Sequence, residues 1–144
     1  MMGNLSLFLK SNQKMPKPVK KAVTKTLCDE KGKPLEWTIR PITSSENDAL
    51  REACTVEVPV PGKPGIFRTK TDTSCYIAKL IAAAVVEPDL KNAELQDSYG
   101  VKKPEDLIRE LVPIAGEYSA LGEFIQDISG FDVSFGDKVE QAKN

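Results

Sequence analysis

The chain has 144 residues, of which 40% are hydrophobic and 28% are charged, and its formal net charge is −1. This length and composition are typical of one soluble globular domain with a core of its own. No apolar run approaches the ~18 residues of a membrane-spanning helix. The N-terminus has an apolar patch, but no positive charge precedes it and no long apolar region is present, so we do not expect a signal peptide. The chain contains no histidine, which excludes Ser-His and Cys-His nucleophiles and the commonest metal ligand.

Charge is distributed unevenly along the chain. The first 28 residues hold six lysines and no acidic residue, whereas the rest of the chain holds fourteen basic and twenty-one acidic residues. Between Pro104 and Asp137 the one basic residue is Arg109, against eight acidic ones. Opposite fields at the two ends favour either an internal pairing or a self-complementary assembly. A solvated charge bias without function is the alternative.

The three cysteines are Cys28, Cys54 and Cys75. They are too few and too widely spaced for a disulfide framework or a zinc site, and their odd number argues against obligatory pairing. We therefore expect three small hydrophobic side chains in or near the core, in a reducing cytoplasm.

The N-terminal half predicts an arm, a hairpin, a helix and a proline-rich loop. Asn4 caps a short amphipathic segment, and the prolines that follow break regular structure. Strands are predicted at Val19–Cys28 and Leu35–Arg40, joined by a turn, with Leu35, Trp37 and Ile39 on one face. A capping box at Thr43–Glu46 begins a helix, whose predicted buried stripe is Ala49, Leu50, Ala53 and Cys54. In the following loop, Val56–Val58 and Ile66–Arg68 are candidate strand pieces of a broken edge hairpin.

The C-terminal half predicts four helices. The most hydrophobic one, at Ser74–Val86, is expected to be the central core helix. A short helix follows from Asn92 to Tyr99, another starts at Pro104, and the last runs from Pro113 to Gly130. Its apolar seam comprises Ile114, Tyr118, Leu121, Ile125 and Ile128. Beside it lies a run of small residues: Ala115, Gly116, Ser119, Ala120 and Gly122. Glycines destabilise a helix, so the two glycines here predict that another element approaches this face closely. Phe131, Val133 and Phe135 alternate in a tail.

These elements predict an α+β fold, with an N-terminal β-hairpin or small antiparallel sheet packed on a mainly helical C-terminal layer. Residues 1–144 form a single domain. Residues 1–18 are a flexible N-terminal arm, residues 19–70 hold the hairpin, the helix and the Pro-rich loop, and residues 71–144 are the helical part.

The motifs favour binding over catalysis. The sequence contains no phosphate-binding loop, dinucleotide fingerprint, nucleophile elbow or metal-ligand cluster, and no cofactor is expected. The lysines near Val19 have no interleaved aromatic residues, which argues against nucleic-acid binding. Helices with small-residue grooves suit a partner's amphipathic helix, although the same seam is more often simply core. We predict the partner-binding surface at Tyr99, Tyr118, Leu121, Phe124 and Ile125.

Several segments, taken in their order and spacing, resemble one known family. They include NLSLFLKSN, DEKGKPLEWTIR, PITSSENDALREACT, VPVPGKPG, LQDSYGV, GEY and SGFD. The chain resembles the XkdN-like tail assembly chaperones of bacteriophages and phage-derived tail elements of Gram-positive bacteria. Members often end in a more regular acidic helix, which Phe135 and Gly136 interrupt here.

The resemblance implies a non-enzymatic protein of the host bacterial cytoplasm that is absent from the mature virion. It would bind the tape measure protein, keep it soluble and help to recruit tail tube protein, with no nucleic acid or membrane as partner. A structural or tail-completion protein retained in the virion is the alternative. We further expect a homo-oligomer in which Leu5, Phe8 and Leu9 of the basic arm mediate self-association.

Overall fold

Within residues 2–131, which the computed structural model describes, a three-stranded sheet and a separate hairpin accompany six α-helices. The helices are α1 (Met2–Leu7), α2 (Ser44–Ala53), α3 (Thr73–Ala84), α4 (Ala93–Ser98), α5 (Pro104–Leu111) and α6 (Ala115–Ile128). The strands are β1 (Val19–Ala22), β2 (Glu36–Ile39), β3 (Thr55–Pro59), β4 (Phe67–Thr71) and β5 (Val85–Glu87). The predicted α+β class is confirmed. The predicted alternation at Val133 and Phe135 and the interrupted terminal helix lie outside the described residues.

The three-stranded sheet has the order β1-β2-β5 and is antiparallel throughout. The predicted hairpin is confirmed, with Val19 opposite Ile39 and Ala22 opposite Glu36. β1 is shorter than the predicted strand because the pairing stops after Ala22 and resumes only at an isolated bridge between Cys28 and Pro34. β5 was not predicted: the periodicity assigned Val85 to the preceding helix, but this residue pairs with Ile39.

The core lies between this sheet and α3, which packs against α2, α5 and α6. Trp37 and Ile39 of β2 belong to the same core cluster as Leu80 and Ile81 of α3, and each of these four side chains is at most 2% exposed. α3 is therefore the central core helix, as its all-round hydrophobicity predicts. Leu35, which was expected to share the inner face of β2, precedes the strand and is 41% exposed.

The starts of α2 to α5 follow the predicted capping chemistry. The predicted cap at Asn4 is wrong, because Asn4 lies inside α1, and the last helix begins at Ala115 instead of Pro113. At α2 the Thr43 hydroxyl accepts the Glu46 N–H, and the Glu46 carboxylate accepts the Thr43 N–H. The Glu46 carboxylate also accepts hydrogen bonds from Nη1 and Nη2 of Arg40, at 2.9 and 2.5 Å. The Arg40 hydrogen bonds lower the pKa of Glu46 to about 2, so this carboxylate stays ionised at neutral pH. The Asp72 and Asn92 side chains cap α3 and α4, while Pro104 occupies the first turn of α5.

One acidic residue of α6 links this helix to the loop that follows β1. The Glu117 carboxylate accepts the Thr24 hydroxyl at 2.7 Å and the Lys25 N–H at 2.9 Å. Thr24 is only 3% exposed, and its hydroxyl also bonds the Thr26 hydroxyl at 3.0 Å and accepts the Thr26 N–H at 3.2 Å. Glu117 thus completes a small, partly buried polar cluster, in which every polar group has a partner. At the other end of α6 the Ser129 hydroxyl accepts the Ile42 N–H at 2.9 Å. α6 is thus fastened at both ends to the N-terminal half.

The predicted proline-rich loop contains a complete hairpin. β3 and β4 pair from Thr55–Thr71 to Pro59–Phe67, and nearly all their residues are exposed. At the base of the hairpin Cys54 forms a disulfide with Cys75, and the Cys54 carbonyl accepts the Asp72 N–H at 2.8 Å. The prediction of three unpaired core cysteines is therefore wrong, because α3 brings these two together and Cys28 is exposed.

Candidate partner-binding surfaces

The five residues predicted to bind a partner do not form one surface. Leu121 is 2% exposed and Ile125 is fully buried, because the α6 seam packs on α3. The prediction that these two contact a partner is wrong for the folded chain. Tyr99, Tyr118 and Phe124 are half-buried against the core. The apolar periodicity of α6 therefore marks a face buried in the core, which such a pattern indicates more often than a binding surface.

Basic side chains of the same chain lie over two of these aromatic rings. The Lys21 ammonium is 4.7 Å from the centre of the Phe124 ring, and the Arg109 guanidinium is 5.7 Å from that of Tyr118. The Tyr118 hydroxyl is buried and has no hydrogen-bond partner among the described residues. These contacts cover ring faces that a partner helix would need. Two aromatic rings of α6 are therefore already in contact with cations of the same chain.

The two helical glycines of α6 have different explanations. A Cβ atom at Gly122 would lie 3.3 Å from the Ile77 side chain of α3, so the predicted close approach of another element is confirmed there. A Cβ atom at Gly116 would meet nothing within 4 Å, and the same prediction is wrong at that position. Only one end of the small-residue run thus serves helix packing.

The stripe of α2 that was predicted to be buried is instead largely open. Ala49 and Ala53 are exposed and Leu50 is half-buried; only Cys54 is in the core. The open residues form one wall of a cavity of about 570 Å³ between α2 and α3, which we call the α2–α3 groove. Its apolar lining consists of Ala49, Leu50, Ala53, Ala82, Ala83, Val85, Leu90 and Pro104. Sequence periodicity found the stripe but could not show that nothing in the described chain covers it.

Charged residues edge this groove. They are Arg40, Lys79, Lys91, Asp89 and Glu105. Arg40 is held by Glu46, and the Lys79 ammonium contacts the Glu105 carboxylate at 3.4 Å, a long and partly exposed pair. Lys102 and Lys103, both exposed, immediately precede Pro104 at one end. The edge of the groove is therefore more basic than the chain as a whole.

The N-terminal segment exposes the residues predicted to mediate self-association. Leu5, Phe8 and Leu9 are 66%, 85% and 52% exposed, and neighbouring Leu7 is 70% exposed. The sheet begins at Val19, directly after the predicted arm. Large apolar side chains clustered on a surface in this way are typical of an interaction site. Their role in self-association stays a prediction.

The described residues hold no cluster of three or more potential metal ligands. None of the helices described is long and apolar enough to cross a membrane. The features that stand out are therefore surfaces: the α2–α3 groove, the apolar arm and the exposed β3–β4 hairpin.

Comparison with known proteins gives a match along almost the whole chain. The family model described as phage XkdN-like tail assembly chaperone protein, TAC, matches residues 5–143. The chain is 24% identical over 141 residues to the phage-like element PBSX protein XkdN of Bacillus subtilis (strain 168), covering 98% of this chain and 94% of that protein. It is 25% identical over 141 residues to the uncharacterized protein YqbN of the same organism, covering 98% and 93%.

A solved structure shows the same fold. The crystal structure of the protein YqbN superposes with a TM-score of 0.72, at 21% sequence identity, over 88% of this chain and 96% of that one. The arrangement of small sheets and helices described above is therefore shared with an experimentally determined structure.

Proposed function

The chain belongs to the XkdN-like family of phage tail assembly chaperones, and on this premise we propose that it binds the tape measure protein, keeps it soluble and helps to recruit tail tube subunits around it. The observation that carries the proposal is the family match over residues 5–143. The family's role is assembly, which is a non-catalytic task. The proposed site of action is the host bacterial cytoplasm, and the protein is expected to be absent from the mature virion.

Physical chemistry supports this assignment of the client. A tape measure protein is long and rich in amphipathic helices, whose apolar faces aggregate unless something covers them. This chain offers an open apolar groove between two helices and an arm with several exposed leucines and one phenylalanine. Both are suited to cover apolar helix faces.

Co-expression tests the proposal. The tape measure protein made with this chain is expected to appear mainly in the soluble fraction and to co-purify with it, because its apolar helix faces are covered. The tape measure protein made alone, or with an unrelated acidic domain of similar size, is expected to be mainly insoluble. If the soluble fraction is the same in all three cases, the chaperone proposal is wrong. Mass spectrometry of purified particles addresses the location, since peptides of this chain in the virion would instead favour a retained structural protein.

The chaperone is also proposed to act as a homo-oligomer, joined through its arm. The exposed apolar residues of the arm are accompanied by Lys10, Lys14 and Lys17, whereas α5 and α6 carry six acidic residues and one arginine. Complementary charge would orient the arm of one copy on the acidic helices of the next.

Deleting residues 1–14 is expected to convert the oligomer to a monomer, because both the apolar contacts and two of these lysines are lost. Light scattering at matched concentrations measures the change in mass. As a matched control, Met15→Ser removes an exposed apolar side chain next to the deleted segment and is expected to leave the mass unchanged. An unchanged mass after the deletion would show that the arm does not join copies.

A further inference from the structure

The α2–α3 groove has the shape of a helix-binding site. Ala49 and Ala53 lie one turn apart on α2, and Ala82 and Ala83 face them from α3. Small side chains on both walls allow the backbone of a third helix to approach closely. Val85 and Leu90 form a buried floor, 7% and 3% exposed, so an inserted side chain would meet close-packed apolar atoms.

Charge restricts what can occupy the groove. The groove edge carries three basic residues against two acidic ones, Asp89 and Glu105. Lys91 has no side-chain partner among the described residues, and Lys79 is held only by the long contact to Glu105. Lys102 and Lys103 add two more positive charges next to Pro104. The arm of a second copy, which carries lysines and no acid, would bring like charges together there, and like charges at an interface oppose binding. An acidic partner is favoured.

We infer that the α2–α3 groove binds an amphipathic helix of a partner protein, with the apolar stripe of that helix against Leu50 and the alanines and its acidic flanks beside Lys79 and Lys91. This places the client site on α2 and α3, on a different surface from the α6 residues suggested by the sequence. The inference rests on the proposed function in one respect, that the physiological partner is a helix of the tape measure protein.

Two synthetic helices test the site independently of that client. Both are roughly 20-residue peptides, long enough to be partly helical in water, with the same leucine stripe; one has glutamates beside the stripe and the other lysines. Fluorescence anisotropy with the full-length chain should show the glutamate peptide binding about tenfold more tightly than the lysine peptide, and the difference should shrink with added salt. Equal affinities, or no binding because another copy or residues 132–144 fill the groove, would overturn the inference.

Matched substitutions locate the binding. Ala49→Glu places a larger acidic side chain on the groove wall and should lower the affinity for the glutamate peptide by about tenfold or more. Ala120→Glu makes the same change at an exposed alanine of α6 and should have no effect. Lys91→Glu should lower the affinity for the glutamate peptide and raise the affinity for the lysine peptide. If Ala49→Glu and Ala120→Glu have the same effect, the groove is not the site.

The same variants separate the two proposals. If the wild-type chain solubilises the tape measure protein and Ala49→Glu does so equally well, the chaperone function stands and the groove is wrong. If the glutamate peptide binds as expected but the tape measure protein stays insoluble, the groove is a helix-binding site and the proposed client is wrong. Circular dichroism of each variant establishes that it is folded. If a variant is not folded, the site is located instead on the wild-type chain, by the amide chemical-shift changes that the glutamate peptide causes. Changes confined to α5 and α6 would overturn the inference.

Discussion

Replacing Trp37 with alanine is expected to lower the free energy of unfolding by about 3–5 kcal/mol, the range for removing a large aromatic side chain from a core. Trp37 lies on the central strand of the sheet and is 2% exposed, within the same cluster as Leu80 and Ile81. The free energy of unfolding of a small domain is about 5–15 kcal/mol in total, so this single substitution would remove a large part of it. Urea denaturation followed by far-ultraviolet circular dichroism measures the loss without relying on tryptophan fluorescence.

Leu35→Ala is the matched control for Trp37→Ala. The sequence pattern places both side chains on the same face, but Leu35 is 41% exposed and precedes β2. Its truncation is expected to change the free energy of unfolding by no more than about 0.5 kcal/mol. Comparable losses for the two variants would mean that the alternation continues through Leu35 and that the position of the strand described above is wrong.

Reducing the Cys54–Cys75 disulfide is expected to lower the free energy of unfolding by about 3 kcal/mol, because the bond closes a loop of about 20 residues in the unfolded chain. The two cysteines are 21 residues apart, and the whole β3–β4 hairpin lies between them. Urea denaturation of the oxidised protein, with and without dithiothreitol, measures the difference. The folded state is expected to survive reduction, since Cys54 stays in a buried site.

Two variants assign that effect to the bond. Cys28→Ser changes the exposed free cysteine and should retain the full response to dithiothreitol. Cys75→Ala cannot form the bond and should be equally stable with and without reductant. A response that disappears in Cys28→Ser would instead point to a bond that involves Cys28. In the reducing cytoplasm proposed for this protein, the dithiol is the form expected to act.

Local chemistry made most elements predictable. The capping box at Thr43, the cap at Asp72 and the proline at position 104 each mark a helix start within one or two residues, because they satisfy or tolerate the free N–H groups of a first turn. The sequence did not predict β5, because a strand of three residues directly after a helix is too short to show the alternating pattern of a strand. Its pairing with β2 depends on α3 returning the chain to the sheet, which is tertiary information.

The binding surfaces were less predictable than the fold. Periodicity shows which face of a helix is apolar, but it does not show whether the rest of the chain covers that face. On α6 the seam around Leu121 is buried, whereas on α2 the stripe around Leu50 is open. The composition of the α2 stripe carried a signal: Leu50 is its only large apolar residue, and alanines contribute little to core burial. The disulfide was equally hidden, because pairing depends on where α3 begins relative to the end of α2.

The late position of β5 and of Glu117 in the chain has a consequence for how the protein is made. The β1–β2 hairpin is complete in sequence by Ile39, yet its sheet gains the third strand only at Val85, and Thr24 bonds Glu117, which lies 93 residues further on. Contacts of such long sequence separation form slowly and cannot form before both ends exist. On the ribosome the hairpin can therefore form early, but the core that covers it cannot close until α6 has emerged. A protein proposed to cover the apolar surfaces of another chain therefore leaves its own Trp37 and Ile39 without their complete packing for most of its synthesis.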